Sequence, residues 1–428
     1  MSNPLIRKYD STRSVVSEYS RQASSHRYII QPPPEGASAK TSIINLTNTI
    51  MGPGLLVLPY ALQQCGLIAG MVLLLVFAFL SAMGLHLLAA CARAVPGASF
   101  DTMALETIPV LKELSDLFVF INSFGAAICY LIMIGDLMPN AMQTFVELPP
   151  DHFFWRREFW IGLFTLMFIV IPASFKNMDS LAFTSALSLF TILYMTVVIV
   201  AYAWVPELAI NPEPPAMHWG LPDDYSQLLL VLPLFVFAFG CHQVTFQLVD
   251  ELKDNTLFRC DLVIGSAMAI SCLFYLFVAF SGYRTFGNAT VPDIISLYPD
   301  NVFLAVGRIG LALNMALSYP LHSLSFRNSI SVLVLGRPAL ELSNKVYYTL
   351  TYVLLIITVV IAMTVADIAV VLSYCGAIGG TALAFILPGA YYYQYFNEKW
   401  HPTRAMAAFM SVFGIMFMPV AVILEAMK

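Results

Sequence analysis

The sequence predicts an all-α polytopic membrane protein of eleven transmembrane helices, and three observations predict it. Of 428 residues, 59% are hydrophobic and only 11% are charged, against about 25% charged in a soluble domain. The apolar residues gather into eleven runs, most of them close to the ~20 residues that cross a bilayer as helix. Finally, Lys and Arg segregate between alternate loops, as the orientation of a multi-pass chain requires.

Residues 1–40 are polar and Ser-rich, with a Pro run at 32–34 and the basic residues Arg7, Lys8, Arg13, Arg21, Arg27 and Lys40. This composition predicts a disordered cytoplasmic tail, with no cleavable signal peptide. Residues 41–428 form the membrane domain.

The first span, about 41–63, is organised around a break. Polar Asn45, Thr47, Asn48 and Thr49 precede Gly52, Pro53 and Gly54 in the middle of an otherwise apolar run. Pro removes a helical hydrogen bond and clashes with the preceding turn. The pattern predicts helix over 41–51, an unwound joint, and helix over 55–63. Unpaired backbone at membrane depth survives only against protein or a wet cavity, and such joints hold the substrate in many secondary transporters.

Ten further spans are expected at about 67–91, 115–139, 159–174, 181–204, 227–249, 261–282, 303–325, 346–366, 368–396 and 405–425. The segment 97–114 suits a short interfacial helix, with Asp101 and Glu106 as loop residues. With the tail inside, alternation puts sixteen of the 21 Lys and Arg on the cytoplasmic side and five outside. The acceptor triplet Asn288-Ala289-Thr290 then falls outside, so Asn288 is a glycosylation candidate. The Pro-rich loop 205–226, with Glu207, Glu213, Asp223 and Asp224 and no basic residue, falls outside too.

The sixth span carries Pro233 and a central Phe239-Gly240-Cys241-His242. Two interrupted spans, five apart, suggest inverted repeats at about 41–204 and 227–396, with an extra helix at 405–425. His242 reads either as a titrating, substrate-bonding group or as a structural partner for a carbonyl freed by the break. Asp136 either lines the outer vestibule or caps local backbone. Asn314 and Ser318, four residues apart, share one face of the eighth span. They suit either Na⁺ coordination or interhelical hydrogen bonding. Arg308 in that span is expected to snorkel outward. Gly376, Gly379 and Gly380 read as close helix packing, and the seven Cys as small apolar packing.

Four stretches carry a resemblance that covers about 40–425. They are NLTNTIMGPGLLVLPYAL from Asn45, the CH…ELKDNT region closing the sixth span, SYPLHSLSFRNSI from Ser318, and GAIGGTALAFILPGAYY from Gly376. Here the chain resembles the amino acid/auxin permease family, particularly the sodium-coupled neutral amino acid transporters and the fungal vacuolar amino acid transporters. The resemblance implies a LeuT-type 5+5 inverted repeat with broken helices 1 and 6, and L-amino acid transport coupled to Na⁺ or H⁺. It implies that backbone N–H groups of Gly52, Gly54 and Leu55 meet the substrate carboxylate. Carbonyls near Thr49, Ile50, Phe239 and Gly240 would meet the amino group. Asn48, the Met51 carbonyl and Ser318 would hold Na⁺. Ala316 and Ser318 stand where sodium-coupled members often carry a T-x-T pair, so one hydroxyl is missing, and Pro53 replaces a common Ser.

These readings converge on a secondary active transporter of L-amino acids, neutral ones of the glutamine or alanine kind, working by alternating access. Substrate-binding candidates are Thr49, Ile50, Gly52, Gly54, Leu55, Phe239, Gly240 and His242. Na⁺ candidates are Asn48, Met51, Asn314 and Ser318. The rival is a membrane amino-acid sensor that binds with little transport. Enzyme chemistry is not expected: no nucleophile–base pair or metal-ligand spacing occurs. The implied partners are the amino acid and the bilayer, with no nucleic acid, no cofactor beyond the coupling ion and no obligate protein subunit. Plasma membrane and vacuolar or lysosomal membrane both suit the sequence.

Overall fold

The computed structural model describes residues 36–427 except 96, 177–181, 211–214, 223, 366 and 398–400, with backbone alone at 182–186. Nearly all of the expected tail therefore lies outside the described residues, as do Glu213 and Asp223.

The Ser38 hydroxyl accepts the Thr41 N–H at 3.2 Å and starts α1, Ala39–Ile50. Pro53 lacks an N–H to continue it, and α2 restarts as Gly54–Cys65 at a 55° bend. The chain continues as α3 (Leu67–Ala94), α4 (Phe100–Thr107), α5 (Leu111–Gln143), α6 (Arg157–Ser174) and α7 (Ala182–Trp204). The sixth span divides into α8, Tyr225–Ala238, and α9, Thr245–Glu251. Then follow α10 (Leu257–Phe286), α11 (Val302–Leu335), α12 (Asn344–Thr364), α13 (Ile368–Tyr395) and α14 (Pro402–Met427). Among the described residues, ten helices are long and apolar enough to cross a membrane, and the bent pair α1–α2 makes an eleventh.

Burial separates the core of the bundle from its rim. The most apolar stretch of α13 is 78% buried and that of α5 67%, while that of α14 is only 22% buried. So α5 and α13 are central and α14 is peripheral. Glycine permits the central contacts. A Cβ on Gly376 would lie 2.0 Å from the Pro233 carbonyl of α8, and one on Gly379 would lie 2.7 Å from Asn122 of α5. Around both, α13 widens to π geometry at Gly376–Gly380 and Ala382–Ile386. All seven Cys are buried and unpaired.

Two expectations need correction. Asp101 and Glu106 are not loop residues: Ser99 and Thr102 form a reciprocal capping box that nucleates α4 around them. Burial pushes the Asp101 carboxyl above the usual range, against the pull of Lys112 and of the neighbouring Asp116 of α5. Arg308 does not snorkel. It is fully buried, and its guanidinium donates to Asp300 at 2.6 Å and to the Asn140, Ile295 and Tyr298 carbonyls at 2.8–3.2 Å. Four acceptors inside the protein outweigh the reach to solvent. Arg308 thereby fastens the loop before α11 to the end of α5. At the other end of α11, buried Arg327 donates to the Ala173 carbonyl and Thr351 and stacks on Tyr347 at 4.3 Å.

Candidate functional site

The two broken spans meet at the centre. A Cβ on Gly54 would lie 2.7 Å from the Ala238 Cα, so α2 and α8 touch backbone to backbone. The Tyr275 hydroxyl of α10 lies 2.7 Å from the Ile50 carbonyl, where α1 ends, and 2.7 Å from the Ala238 carbonyl, where α8 ends. A phenol carries one hydrogen, so two carbonyls freed by two helix breaks share one donor. Tyr275 is wholly buried.

Beside the first joint lies a small cavity of about 10 Å³, lined by Asn48, Met51, Gly52 and Leu55 with Tyr130 of α5, Ile192 of α7, and Asn314 and Ser318 of α11. All four Na⁺ candidates line it, together with Gly52 and Leu55 of the substrate candidates. Asn314 Oδ1 accepts hydroxyl hydrogens from both Ser188 and Ser318. The joint is also closed on itself: Gly52 N–H donates to the Ile50 carbonyl at 3.0 Å and Leu55 N–H to the Gly52 carbonyl at 3.2 Å. Room for one water takes about 10–15 Å³, so in this conformation the cavity is no larger than about one water.

The remaining substrate candidates stand elsewhere. Thr49 turns back to the Asn45 carbonyl of its own helix at 2.9 Å. Gly54 packs on Ala238, and Ile50 offers its carbonyl to Tyr275. The Phe239 carbonyl accepts the Ser81 hydroxyl of α3 at 2.8 Å, and its ring packs edge-on against Tyr275 at 5.1 Å. Gly240 donates its N–H to the Phe237 carbonyl at 2.9 Å. His242 is 1% exposed, with Nε2 at 3.1 Å from the Ser81 carbonyl. It sits against α3, away from the cavity. Asp136 pairs with Arg157 of α6 at 3.5 Å. Asn288 is exposed, while its sequon partner Thr290 is buried with its hydroxyl on the Gly287 carbonyl at 2.7 Å.

Sequence reasoning passed over Ser81, Tyr130, Tyr275 and His322. One signal was available: a Tyr or Ser in mid-span must place its hydroxyl on some partner. Which partner is a matter of packing. His322 stood inside a quoted motif, four residues after Ser318, without being read as a polar group in its own right.

Comparison with known proteins agrees with this architecture. The family model for "Transmembrane amino acid transporter protein" matches residues 35–427. Vacuolar amino acid transporter 5 of Schizosaccharomyces pombe is 33% identical over 88% of this chain and 92% of its own length. Vacuolar amino acid transporter 6 of Saccharomyces cerevisiae is 27% identical over 84% of this chain and 90% of its own length. Sodium-coupled neutral amino acid symporter 2 of Danio rerio is 26% identical over 87% of this chain and 78% of its own length. A helical multi-pass architecture with its first span broken at Gly52–Gly54, and a family match over almost every described residue, lead to one conclusion: this chain belongs to the transmembrane amino acid transporter family, the amino acid/auxin permeases.

Proposed function

We propose that the protein is a secondary active transporter of neutral L-amino acids that works by alternating access and takes H⁺ as its coupling ion. The observation that carries this reading is the meeting of the two helix breaks at Tyr275, beside a cavity walled by the unwound joint. Separating α1 from α8 releases two carbonyls for a substrate ammonium group. Unlatching the joint frees the Gly52 and Leu55 N–H groups for the carboxylate, aided by the positive end of α2. The cavity lining contains no acidic or basic side chain, which suits a zwitterion read by backbone dipoles. The two breaks, five spans apart, support a LeuT-type repeat, and the bias of Lys and Arg between alternate loops supports a cytoplasmic tail.

For the ion, the Na⁺ candidates share one cavity, but the best oxygen, Asn314 Oδ1, is already covered by two hydroxyl donors. With one hydroxyl fewer than the sodium-coupled pattern, H⁺ is the better reading. The similarity to fungal vacuolar transporters supports an acidic-organelle membrane. The test is uptake of labelled glutamine, alanine, asparagine and tyrosine into proteoliposomes under a pH gradient, a Na⁺ gradient or neither. Accumulation driven by the pH gradient is expected. Accumulation driven by Na⁺ and lost in Ser318→Ala moves the coupling ion to Na⁺. Binding without accumulation under any gradient replaces the transporter with a sensor.

A further inference from the structure

Asn314, Ser318 and His322 follow one another at four-residue spacing, so they share one face of α11. The first two line the cavity and the third lies one turn beyond it. His322 Nε2 is 3.3 Å from the Tyr130 hydroxyl, and the two rings meet edge-on at 5.2 Å. Tyr130 is 7% exposed and lines the cavity, its hydroxyl only 3.5 Å from where a Cβ on Gly52 would stand. One oxygen therefore touches both an imidazole and the wall of the substrate site. His322 itself is only partly buried. Among the described residues no carboxylate or cation acts on the imidazole. Arg327, on the same helix, is turned to Ala173, Phe175 and Thr351.

We propose that His322 is the proton-binding site of this protein, and that it acts on the substrate through the direction of the Tyr130–His322 hydrogen bond. This rests on the transporter reading above. With neutral imidazole carrying its hydrogen on Nδ1, the Tyr130 O–H donates to Nε2 and its hydrogen is engaged. When Nε2 takes a proton, Nε2–H must donate, and the Tyr130 oxygen becomes the acceptor. The phenol hydrogen then swings toward Gly52 and becomes a donor facing the cavity. A substrate carboxylate is the ligand such a donor serves, and the imidazolium close behind it adds a favourable charge. Proton and amino acid thus stabilise each other, and the coupling is reciprocal. No bond is made or broken beyond the binding of one proton, and no second cofactor is required.

The test measures glutamine binding to the purified protein across pH, together with pH-gradient-driven accumulation and equal-pH exchange in proteoliposomes. In the wild type, affinity should rise by about tenfold on acidification, within the usual range of coupling between sites. His322→Gln should give an affinity that no longer responds to pH and should lose accumulation while exchange continues. A His322→Gln protein that still accumulates glutamine on a pH gradient overturns the proposal. If that variant binds nothing at all, Tyr130→Phe decides, since it keeps the imidazole and removes the hydroxyl. Weaker binding with a flat pH response supports the relay, and an undiminished pH response overturns it. A wild type that exchanges glutamine but ignores the pH gradient overturns the proton site and leaves the transporter. A wild type that binds but moves nothing overturns the transporter alone, and the pH dependence of its binding still decides the proton site.

Discussion

The chain breaks two helices at the centre of its membrane domain, and the two breaks have different surroundings. In the first span, Pro53 between two glycines bends the helix by 55°, and the joint forms a cavity wall with α5, α7 and α11. In the sixth, the break after Ala238 is sutured: Ser81 of α3 donates to the Phe239 carbonyl, and His242 closes back on the Ser81 carbonyl. Both breaks free backbone groups that must find partners. The first leaves its joint beside a cavity, while the second satisfies itself against a neighbouring helix. A broken helix therefore borders a cavity only where its neighbours leave room, and Tyr275 ties the two breaks together.

Substitutions can break or sharpen that contrast. The largest effect is expected at Gly54, where the α2 and α8 backbones touch. Gly54→Val forces them apart by more than any rotamer can absorb, and the monodisperse fraction on size exclusion should collapse. Next is Tyr275→Phe, which strips this donor from the Ala238 carbonyl and leaves the Ile50 carbonyl with the Gly52 N–H alone. Unsatisfied buried groups cost about 1–3 kcal/mol, so melting temperature should fall and transport with it. Unaltered transport would show that the breaks are not coupled there. Ser81→Ala removes one hydrogen bond from the sutured break, worth about 1 kcal/mol. Its effect should be on stability, with glutamine affinity untouched, as should that of His242→Gln. A pH response lost in His242→Gln would move the titrating group to the sixth span and erase the contrast.

The effect confined to a pH window concerns the loop held by Arg308. Burial pushes the Asp293 carboxyl up to about 6, against the Ile295 N–H and the Arg308 charge, which pull it down. The unfolded value is about 3.9. The folded loop then holds its proton more tightly than the unfolded chain. Its contribution to stability is complete below about pH 4 and is lost as pH rises through about 6. Asp293→Asn should flatten the melting temperature between these values, raising it relative to wild type near neutrality. A wild type that gains stability across the same rise would refute the assignment.

Much of this was legible before any fold was drawn. Gly52-Pro53-Gly54 announces its own break, because Pro forbids the hydrogen bond whatever surrounds it. Eleven apolar runs became eleven candidate spans for the same kind of reason: length and hydropathy are local. Asn314 and Ser318 could be placed together because four-residue spacing fixes a helix face, and Asn48 and Met51 joined them at the cavity. Arg308 misled, because the sequence offers solvent as the default partner for a charge. Four acceptors, three from the loop before α11 and one from the distant end of α5, replaced it. Asp101 misled because the capping box at Ser99 was overlooked.

The sequence by itself determined the number of spans, the position of the first break, and the face of α11 that carries Asn314 and Ser318. Each follows from covalent geometry or from a repeat within one helix. Only the tertiary structure decided that Tyr275 bridges both breaks, that Ser81 and His242 close the sixth span on α3, and that Tyr130 stands between His322 and Gly52. Those partners lie from 37 to 225 residues apart in the chain. No local rule selects one hydroxyl among many. The packing of α3, α5, α10 and α11 around the joint does, because a buried polar group must be satisfied by whichever neighbour reaches it.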